Sequence, residues 1–306
     1  MTTWSEASRA VFQIPPGLLS LPHTLACGQA FRWRELPAGS WLGVVGDHAV
    51  RLSREDGSVE GQVYPPIGDA AAFLSSFLRL EVDLAALYDS FASVDPWITA
   101  AVEDFAGLRV LGQEPRETLL SYICSTANSV PRISKAIDRM SRIYGRLIAS
   151  IDGEDVHAFP TAERLAAASP TVLRDQCNLG WRGDNLINVA REVAAMPDGW
   201  PAQLGTLPYR EAKAELVKVR GVGAKIADCV CLFALRKDGA VPVDTHIWSV
   251  ARELFGAQVP TRTLTPATYE TISSLFLSRY GDFAGWAQEY LFMQRRASRG
   301  MVRTEK

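Results

Sequence analysis

The stretch that decides the fold begins at residue 216 and reads Leu216-Val217-Lys218-Val219-Arg220-Gly221-Val222-Gly223-Ala224-Lys225-Ile226-Ala227-Asp228. One apolar helical run ends before Gly221, and a second begins directly after Gly223. Glycine tolerates positive φ and leaves backbone N–H groups uncovered, so this turn can present those groups to an anion at a helix start. We predict a helix–hairpin–helix that contacts a DNA phosphate without reading base sequence. The alternative is a tight turn that binds nothing.

Two residues with chemically useful side chains follow the turn. Lys225 opens an apolar helix, and Asp244 precedes the next one in the segment Val241-Pro242-Val243-Asp244-Thr245-His246-Ile247-Trp248. Taken singly, the lysine is a surface residue whose stem covers apolar neighbours, and the aspartate is an N-cap. As a pair, their residue types suit a nucleophilic amine with a negative charge nearby.

The rest of the chain divides into a β-type part and a helical part. Short β-type runs alternate with turns at residues 31–34, 41–45, 49–52 and 59–64, and helical spacing begins at Asp69. After Pro115 the pattern is almost entirely helical, with runs at residues 118–126, 132–144, 162–168, 171–177, 184–195, 209–219, 224–235, 245–254, 267–277 and 283–292. We therefore predict an α+β protein, with an N-terminal antiparallel β-sheet domain at residues 1–110 and a larger, all-helical domain at residues 111–306.

Composition sets broad limits on the class of protein. The chain has 306 residues, 47% of them hydrophobic and 22% charged, which is ordinary for a globular protein of two or three domains. We read no secretion signal and no apolar run long enough to span a membrane. The expected location is intracellular: the cytoplasm or nucleoid in a prokaryote, or the nucleus in a eukaryote. The five cysteines are too widely spaced for a compact zinc or iron–sulfur site, so we expect free thiols, no metal and no cofactor.

The distribution of charge points to a local basic surface. The net charge is −2, which by itself argues mildly against a nucleic-acid binder. Residues 1–110, however, hold 7 Lys and Arg against 13 Asp and Glu, whereas residues 111–306 hold 25 against 21. Basic residues cluster at Arg132, Lys135, Arg139, Arg142 and Arg146, and again at Arg295, Arg296, Arg299 and Arg303. Each cluster is either a solvated face or a footprint for one stretch of DNA backbone.

Four motifs in order resemble those of the helix–hairpin–helix DNA glycosylases with a catalytic lysine, and in particular the eukaryotic-type 8-oxoguanine DNA glycosylase/lyases. One of these motifs combines the turn that carries Lys225 with the segment ending in Asp244-Thr245-His246-Ile247-Trp248. The others are Cys27-Gly28-Gln29-Ala30-Phe31-Arg32-Trp33, then Gln113-Glu114-Pro115 with Tyr122-Ile123-Cys124-Ser125, then Gly285-Trp286-Ala287-Gln288 with Leu291-Phe292. Iron–sulfur members carry four cysteines after the aspartate, and here no cysteine follows Cys231.

The resemblance implies a base-excision enzyme that also nicks the strand. Lys225 attacks C1′ as a neutral amine and forms a Schiff base, Asp244 supports the cationic sugar, and β-elimination cuts the strand 3′ to the lesion. The base is flipped out of the duplex into a pocket. Cys229 and Phe292 sandwich it, Gln288 binds its Watson–Crick edge, and the carbonyl of Gly28 accepts the N7–H that oxidised guanine has.

The resemblance also implies the DNA contacts, with two departures. Arg132 is similar to the arginine that reads the opposite cytosine, and His246 to a histidine that contacts a phosphate. Consecutive asparagines are usual in the loop before Arg132, one of them filling the gap left by the flipped base; here the loop reads Ala127-Asn128. The wedge tyrosine is replaced by Trp181, beside Arg182. These departures put the opposite-base preference in doubt.

Two other functions remain open from the sequence. One is a monofunctional glycosylase for alkylated bases, although such members of the superfamily lack the lysine. The other is a non-catalytic helix–hairpin–helix module that binds DNA structure, which needs no lysine–aspartate pair. We expect the partner to be double-stranded DNA containing oxidised guanine, with no membrane, and we expect a monomer.

Overall fold

The computed structural model describes residues 4–259 and 263–300, so Arg303 of the basic tail lies outside the described residues. Its N-terminal part is a five-stranded antiparallel sheet. The strands are β1 (Ser8–Gln13), β2 (Arg34–Glu35), β3 (Trp41–Val45), β4 (His48–Glu55) and β5 (Ser58–Tyr64), in the order β1-β5-β4-β3-β2. Asp56 and Gly57 both have positive φ, 46° and 80°, in the turn between β4 and β5. Two-residue turns of this kind match the twist of the strands they join.

Two details of the sheet differ from the sequence prediction. The strand predicted at residues 31–34 is wrong except at Arg34, because Phe31 packs into the helical core and Trp33 lies over Gly43 of β3 and against α2. Phe31 packs edge-on against Tyr122, and Trp33 stacks on Phe77 with the ring centres 5.6 Å apart. Strand β1 was not predicted at all, since its sequence alternates only weakly between apolar and polar residues.

Four helices follow or cover the sheet: α1 (Leu21–Leu25), α2 (Ala70–Leu78), α3 (Leu84–Ala92) and α4 (Pro96–Asp104). Aspartates at 69, 83 and 95 cap the last three by accepting hydrogen bonds from N–H groups of the first turn. Such caps satisfy donors that a helix start leaves open. Helix α2 lies on β1 and β5, where Leu74 and Phe77 are buried in the core of the sheet domain.

The remainder is mostly helical, as predicted. Its helices are α5 (Pro115–Ile123), α6 (Val130–Tyr144), α7 (Ala162–Ala166), α8 (Arg182–Ala194), α9 (Trp200–Thr206), α10 (Tyr209–Val217), α11 (Ala224–Phe233), α12 (Thr245–Phe255), α13 (Pro266–Tyr280) and α14 (Ala284–Ser298). The prediction of helix alone is wrong at one place: strands β6 (Leu147–Ile151) and β7 (Glu154–His157) form a hairpin between α6 and α7. Residues 171–177, predicted as an ordinary helix, contain a π-helical turn at Val172–Gln176.

The large core joins the helical part to the loop after α1. Cys27 and Phe31 are buried in the same cluster as the apolar residues of α5, α11 and α14. This packing places a segment from near the N-terminus against helices more than 190 residues later in the chain. Among the residues that the structure describes, no helix is long and apolar enough to cross a membrane. The domain boundary near residue 110 stays a prediction.

Candidate active site

A small cavity of about 60 Å³ lies where α5, α11, α14 and two loops meet. Its lining includes all six residues that the sequence analysis placed in the catalytic pair and the base pocket: Gly28, Lys225, Cys229, Asp244, Gln288 and Phe292. It also includes residues to which no role was given: Gln29, Tyr122, Phe233, Pro242 and Glu289. Ligand cavities are usually about 300–1,000 Å³. The side chains around this cavity must therefore move before a purine can enter.

Helix α11 carries the amine of the site. Lys225 and Cys229 are one helical turn apart, so they share a face. Lys225 is half-buried, with its Nζ atom 4.8 Å from the centre of the Tyr122 ring and 3.4 Å from Ser125 Oγ. Within residues 4–259 and 263–300 it makes no salt bridge. The amine thus contacts an aromatic face and a hydroxyl, and no carboxylate of the described residues pairs with it.

Asp244 is both a helix cap and part of the cavity wall. Its Oδ1 atom accepts from the N–H groups of His246 and Ile247, each at 2.9 Å, which caps α12. The described residues offer no hydrogen bond to Oδ2. The capping interpretation and the catalytic one are therefore compatible, because one carboxylate oxygen holds the helix while the residue still lines the cavity.

The backbone carbonyl of Gly28 is held in place by Tyr122. Gly28 has φ +104°, and a Cβ atom there would lie 2.7 Å from Val130 Cγ2, so only glycine fits without displacement. The Tyr122 hydroxyl lies 3.4 Å from Gly28 O and 3.2 Å from Gln29 O, both of which accept from it. Tyr122 therefore links the lysine side chain to the carbonyl expected to face the base. Tyr122 belongs to the motif Tyr122-Ile123-Cys124-Ser125, but no role was predicted for it.

The side chain of Gln29 also holds the loop that contains Gly28 in place. Its Nε2 donates to Thr24 O at 3.0 Å and to Arg109 O at 2.8 Å, while Oε1 accepts from Leu111 N at 2.8 Å. The side chain is buried, and all these partners are backbone atoms. Sequence reasoning missed this role, since nothing in the spacing links Gln29 to residues about 80 positions away.

Helix α14 supplies the opposite wall. Gln288 is 3% exposed, and its Oε1 atom is buried without a hydrogen-bond partner among the described residues. A buried acceptor left unpaired is costly unless a ligand donor meets it. The Phe292 ring lies between the His246 ring, edge-on at 5.6 Å, and the Arg296 guanidinium, 5.3 Å from its centre. Across the cavity, burial raises the pKa of the Cys229 thiol to about 12, so the thiol is neutral.

Of the residues predicted to contact DNA, none lines the cavity. Trp181 is 57% exposed, and the Arg182 guanidinium stacks 4.8 Å from its ring centre. Arg182 also donates to the carbonyls of Thr126, at 2.5 Å, and Ala127, at 2.7 Å. Arg182 thereby contacts both the exposed Trp181 and the loop before α6.

That loop is folded on itself in this structure. Ala127 has φ +48°, a left-handed conformation that asparagine adopts more readily than alanine. Asn128 donates to Cys124 O at 3.2 Å, and its Oδ1 accepts from Ser129 N at 3.0 Å. Arg132 is exposed on the first turn of α6. Asn128 must break its own loop contacts before its side chain can enter a duplex.

The predicted hairpin joins α10 to α11. Gly221 has φ +94°, and a Cβ atom there would lie 2.6 Å from Asn185 Oδ1. Gly223 is exposed at the N-cap of α11, where no side chain caps the helix. The first N–H groups of α11 therefore have no intrahelical acceptor. An anion is a suitable partner for them.

His246 sits between the cavity and the surface. It is half-buried, and its Nδ1 atom is buried without a hydrogen-bond partner in the described part of the chain. Burial lowers the pKa of His246 below its usual value; Asp244 opposes this shift, and three arginines of α14 and its end reinforce it. At neutral pH the imidazole is thus neutral.

All five cysteines are free, and the described residues contain no group of three metal-binding side chains.

Two protein families match the chain in succession. Residues 11–119 match the 8-oxoguanine DNA glycosylase N-terminal domain, and residues 120–273 match the HhH-GPD superfamily of base excision DNA repair proteins. The chain is 34% identical to N-glycosylase/DNA lyase OGG1 of Arabidopsis thaliana over 284 residues, which cover 90% of this chain and 77% of the relative. It is 29% identical to the N-glycosylase/DNA lyase of Saccharomyces cerevisiae, over 90% of this chain and 82% of that one.

Solved structures agree with the sequence relatives. The Clostridium acetobutylicum 8-oxoguanine glycosylase/lyase, solved in complex with double-stranded DNA containing cytosine opposite 8-oxoguanine, superposes with a TM-score of 0.80. The two chains are 28% identical, and the match covers 92% of this chain and 93% of that one. The similarity extends over both the sheet and the helical part.

Proposed function

Because this chain belongs to the 8-oxoguanine DNA glycosylase/lyase family, we propose that it removes 8-oxoguanine from double-stranded DNA and then nicks the strand through a lysine Schiff base. The observation that carries the proposal is the shared cavity of Lys225, Asp244 and the unpaired amide of Gln288. A nucleophile, a negative charge and a base-reading acceptor from three separate segments meet there. DNA containing the lesion is the proposed partner.

The proposed chemistry begins with the amine of Lys225. The neutral amine attacks C1′ of the lesion nucleotide while the bond from C1′ to N9 of the base breaks, and its electron pair leaves with the base. Asp244 stabilises the positive charge that develops on the sugar. The amine then loses a proton and the sugar ring opens to a Schiff base. Loss of the C2′ proton expels the 3′ phosphate by β-elimination.

Recognition of the base uses the other cavity residues. The flipped base enters between the Cys229 thiol and the Phe292 ring, after Phe292 and its neighbours have moved. Gln288 Oε1 then gains the donor that it lacks in the free protein. The Gly28 carbonyl, held by Tyr122, accepts the N7–H that distinguishes oxidised from normal guanine. Outside the cavity, the proposed phosphate contacts are Gly221, Gly223 and His246. The residues proposed to fill the gap left by the flipped base and to read the opposite base are Trp181, Arg182, Asn128 and Arg132.

Borohydride trapping on a duplex with 8-oxoguanine opposite cytosine tests this function. The wild type should be trapped covalently and should release the free base, whereas Lys225→Gln should lose both activities by more than about 10⁴-fold, as expected for a nucleophile. Damaged-DNA binding should persist in that variant, because the amine acts in bond breaking. Lys237→Gln is the matched control, since Lys237 follows the far end of α11 and donates to Gly205 O.

The outcomes separate the competing functions. Base release by the wild type without trapping would support a monofunctional glycosylase. Binding without base release or cleavage of an abasic site would support a non-catalytic module. Full trapping by Lys225→Gln would remove Lys225 from the nucleophile role.

A further inference from the structure

Glu289 is a buried carboxyl in the cavity that the proposed chemistry does not use. It is 3% exposed and lies on α14 between Gln288 and Phe292, on the same cavity wall. Carboxyl groups are almost never fully buried unless they are paired. In residues 4–259 and 263–300, Glu289 forms no salt bridge. A buried carboxyl that has no ion-pair partner among the described residues and lines a cavity points to a ligand group that meets it there.

The neighbours of Glu289 define which part of a purine it faces. On one side stands Gln288, which reads the Watson–Crick edge under the proposed function. Cys27 is also a neighbour: its thiol lies within hydrogen-bonding reach of the Glu289 carboxyl, and the next residue, Gly28, carries the carbonyl proposed to accept N7–H. The substituent at position 6 of a purine lies between the Watson–Crick edge and N7. The proposed binding mode therefore brings that substituent towards Glu289.

The charged and titratable groups around Glu289 come from every element that surrounds the cavity: Cys27 in the loop after α1, Tyr122 on α5, Lys225 and Cys229 on α11, Asp244 before α12 and Arg296 on α14. Burial raises the pKa of Glu289 to about 7. Cys27, Arg296 and Lys225 oppose that rise, and Asp244 adds to it. Both the neutral acid and the carboxylate are thus populated near neutral pH.

We propose that Glu289 is a specificity-determining residue that reads the position-6 substituent of the flipped purine and so selects between oxidised guanine and oxidised adenine; this inference rests on the proposed function. Guanine carries an acceptor, O6, at this position, and adenine carries a donor, the 6-amino group. The neutral acid donates to O6 of 8-oxoguanine. The carboxylate repels O6 and accepts from the 6-amino group of 8-oxoadenine. One residue thereby changes the preferred lesion with pH.

The test is the ratio of single-turnover excision rates for 8-oxoguanine and 8-oxoadenine, each placed opposite cytosine, at pH 6 and pH 8.5. Taking the ratio cancels pH effects on Lys225 and on DNA docking, because both lesions share them. In the wild type the ratio should fall by about tenfold or more from pH 6 to pH 8.5, the value of one hydrogen bond to a charged group. Glu289→Gln has the same shape but does not ionise, so its ratio should change by less than about twofold over this range.

Glu117→Gln is the matched control. Glu117 is also a buried carboxyl whose pKa burial raises to about 7, but it lies beside Arg32 and does not line this cavity. Its variant should keep the pH dependence of the wild type. A wild-type ratio that is constant with pH, an unchanged pH dependence in Glu289→Gln, or no excision of 8-oxoadenine at pH 8.5 would each overturn the inference. A wild type that removes neither lesion would instead refute the proposed function.

Discussion

The cavity and the rim, by which we mean Asn128, Arg132, Trp181 and Arg182, are built in opposite ways. The six predicted cavity residues come from four separate segments, and they are buried or half-buried among neighbouring side chains. The rim residues are exposed or half-exposed, and their contacts are mostly with their own loop, as Asn128 shows, or with one neighbouring arginine. The core therefore positions the groups proposed to break bonds. The groups proposed to read the duplex must rearrange when DNA binds.

This comparison predicts large rate effects inside the cavity and small ones at the rim. After the loss expected for Lys225→Gln, the largest expected rate effect is that of replacing Asp244. Asparagine caps a helix about as well as aspartate, so Asp244→Asn should keep α12 intact while it removes the negative charge. We expect the excision rate to fall by roughly 10²-fold or more, with no change in melting temperature, in single-turnover kinetics and thermal unfolding.

Asp83→Asn is the control for that prediction. Asp83 caps α3 by accepting from Ala86 N at 3.1 Å, and it does not line the cavity. This variant should match the wild type in both rate and stability. An Asp244→Asn enzyme with an unchanged rate would leave Asp244 as a helix cap only and would erase the contrast between cavity and rim.

The next effect concerns the arginine that supports the rim. Arg182→Ala removes two hydrogen bonds to the loop carbonyls and the stack on Trp181. The loop and the tryptophan should then be less well placed to hold a distorted duplex, and excision of 8-oxoguanine should slow by about tenfold, the cost of one charge-assisted hydrogen bond. Arg191→Ala is the control, since Arg191 is exposed on the same helix and its side chain donates a hydrogen bond to Asn188. Equal rates for the two variants would show that the support has no functional role.

The smallest effect concerns opposite-base preference. Ala127 already has the left-handed conformation that asparagine tolerates, so Ala127→Asn should add hydrogen-bonding groups without backbone strain. The preference for cytosine over the other three opposite bases should rise by about two- to tenfold, the value of one hydrogen bond. Arg132→Ala should reduce it. The measurement is single-turnover excision opposite each base.

Either result can fail independently. Unchanged ratios in Ala127→Asn would show that the loop does not set the choice of opposite base. Full cytosine preference in Arg132→Ala would shift attention to Trp181 and Arg182. An effect at the rim as large as that at Asp244 would contradict the division between chemistry and recognition.

The family and the α+β fold class were predicted from the sequence and are confirmed. Alternation marked strands β3 to β5, and helical spacing marked most of the later helices, because local periodicity records which side chains face a core. The prediction failed where tertiary contacts overrode local preference. Phe31 and Trp33 pack against rings of α5 and α2 and do not extend a strand, and the β6–β7 hairpin lies between two predicted helical runs of a domain predicted to be all-helical.

The sequence by itself determined the residue types and their local geometry: the glycines of the hairpin, the shared face of Lys225 and Cys229, and a carboxylate at the start of α12. Those features depend on neighbours only a few positions apart. Tertiary structure alone decided that Tyr122 lies under the lysine, that Gln29 pins the Gly28 loop and that Glu289 is buried without a counter-ion. These depend on packing between segments from about 80 to more than 250 residues apart, and on the loss of solvent there. No local spacing encodes such contacts, because burial is a property of the assembled core.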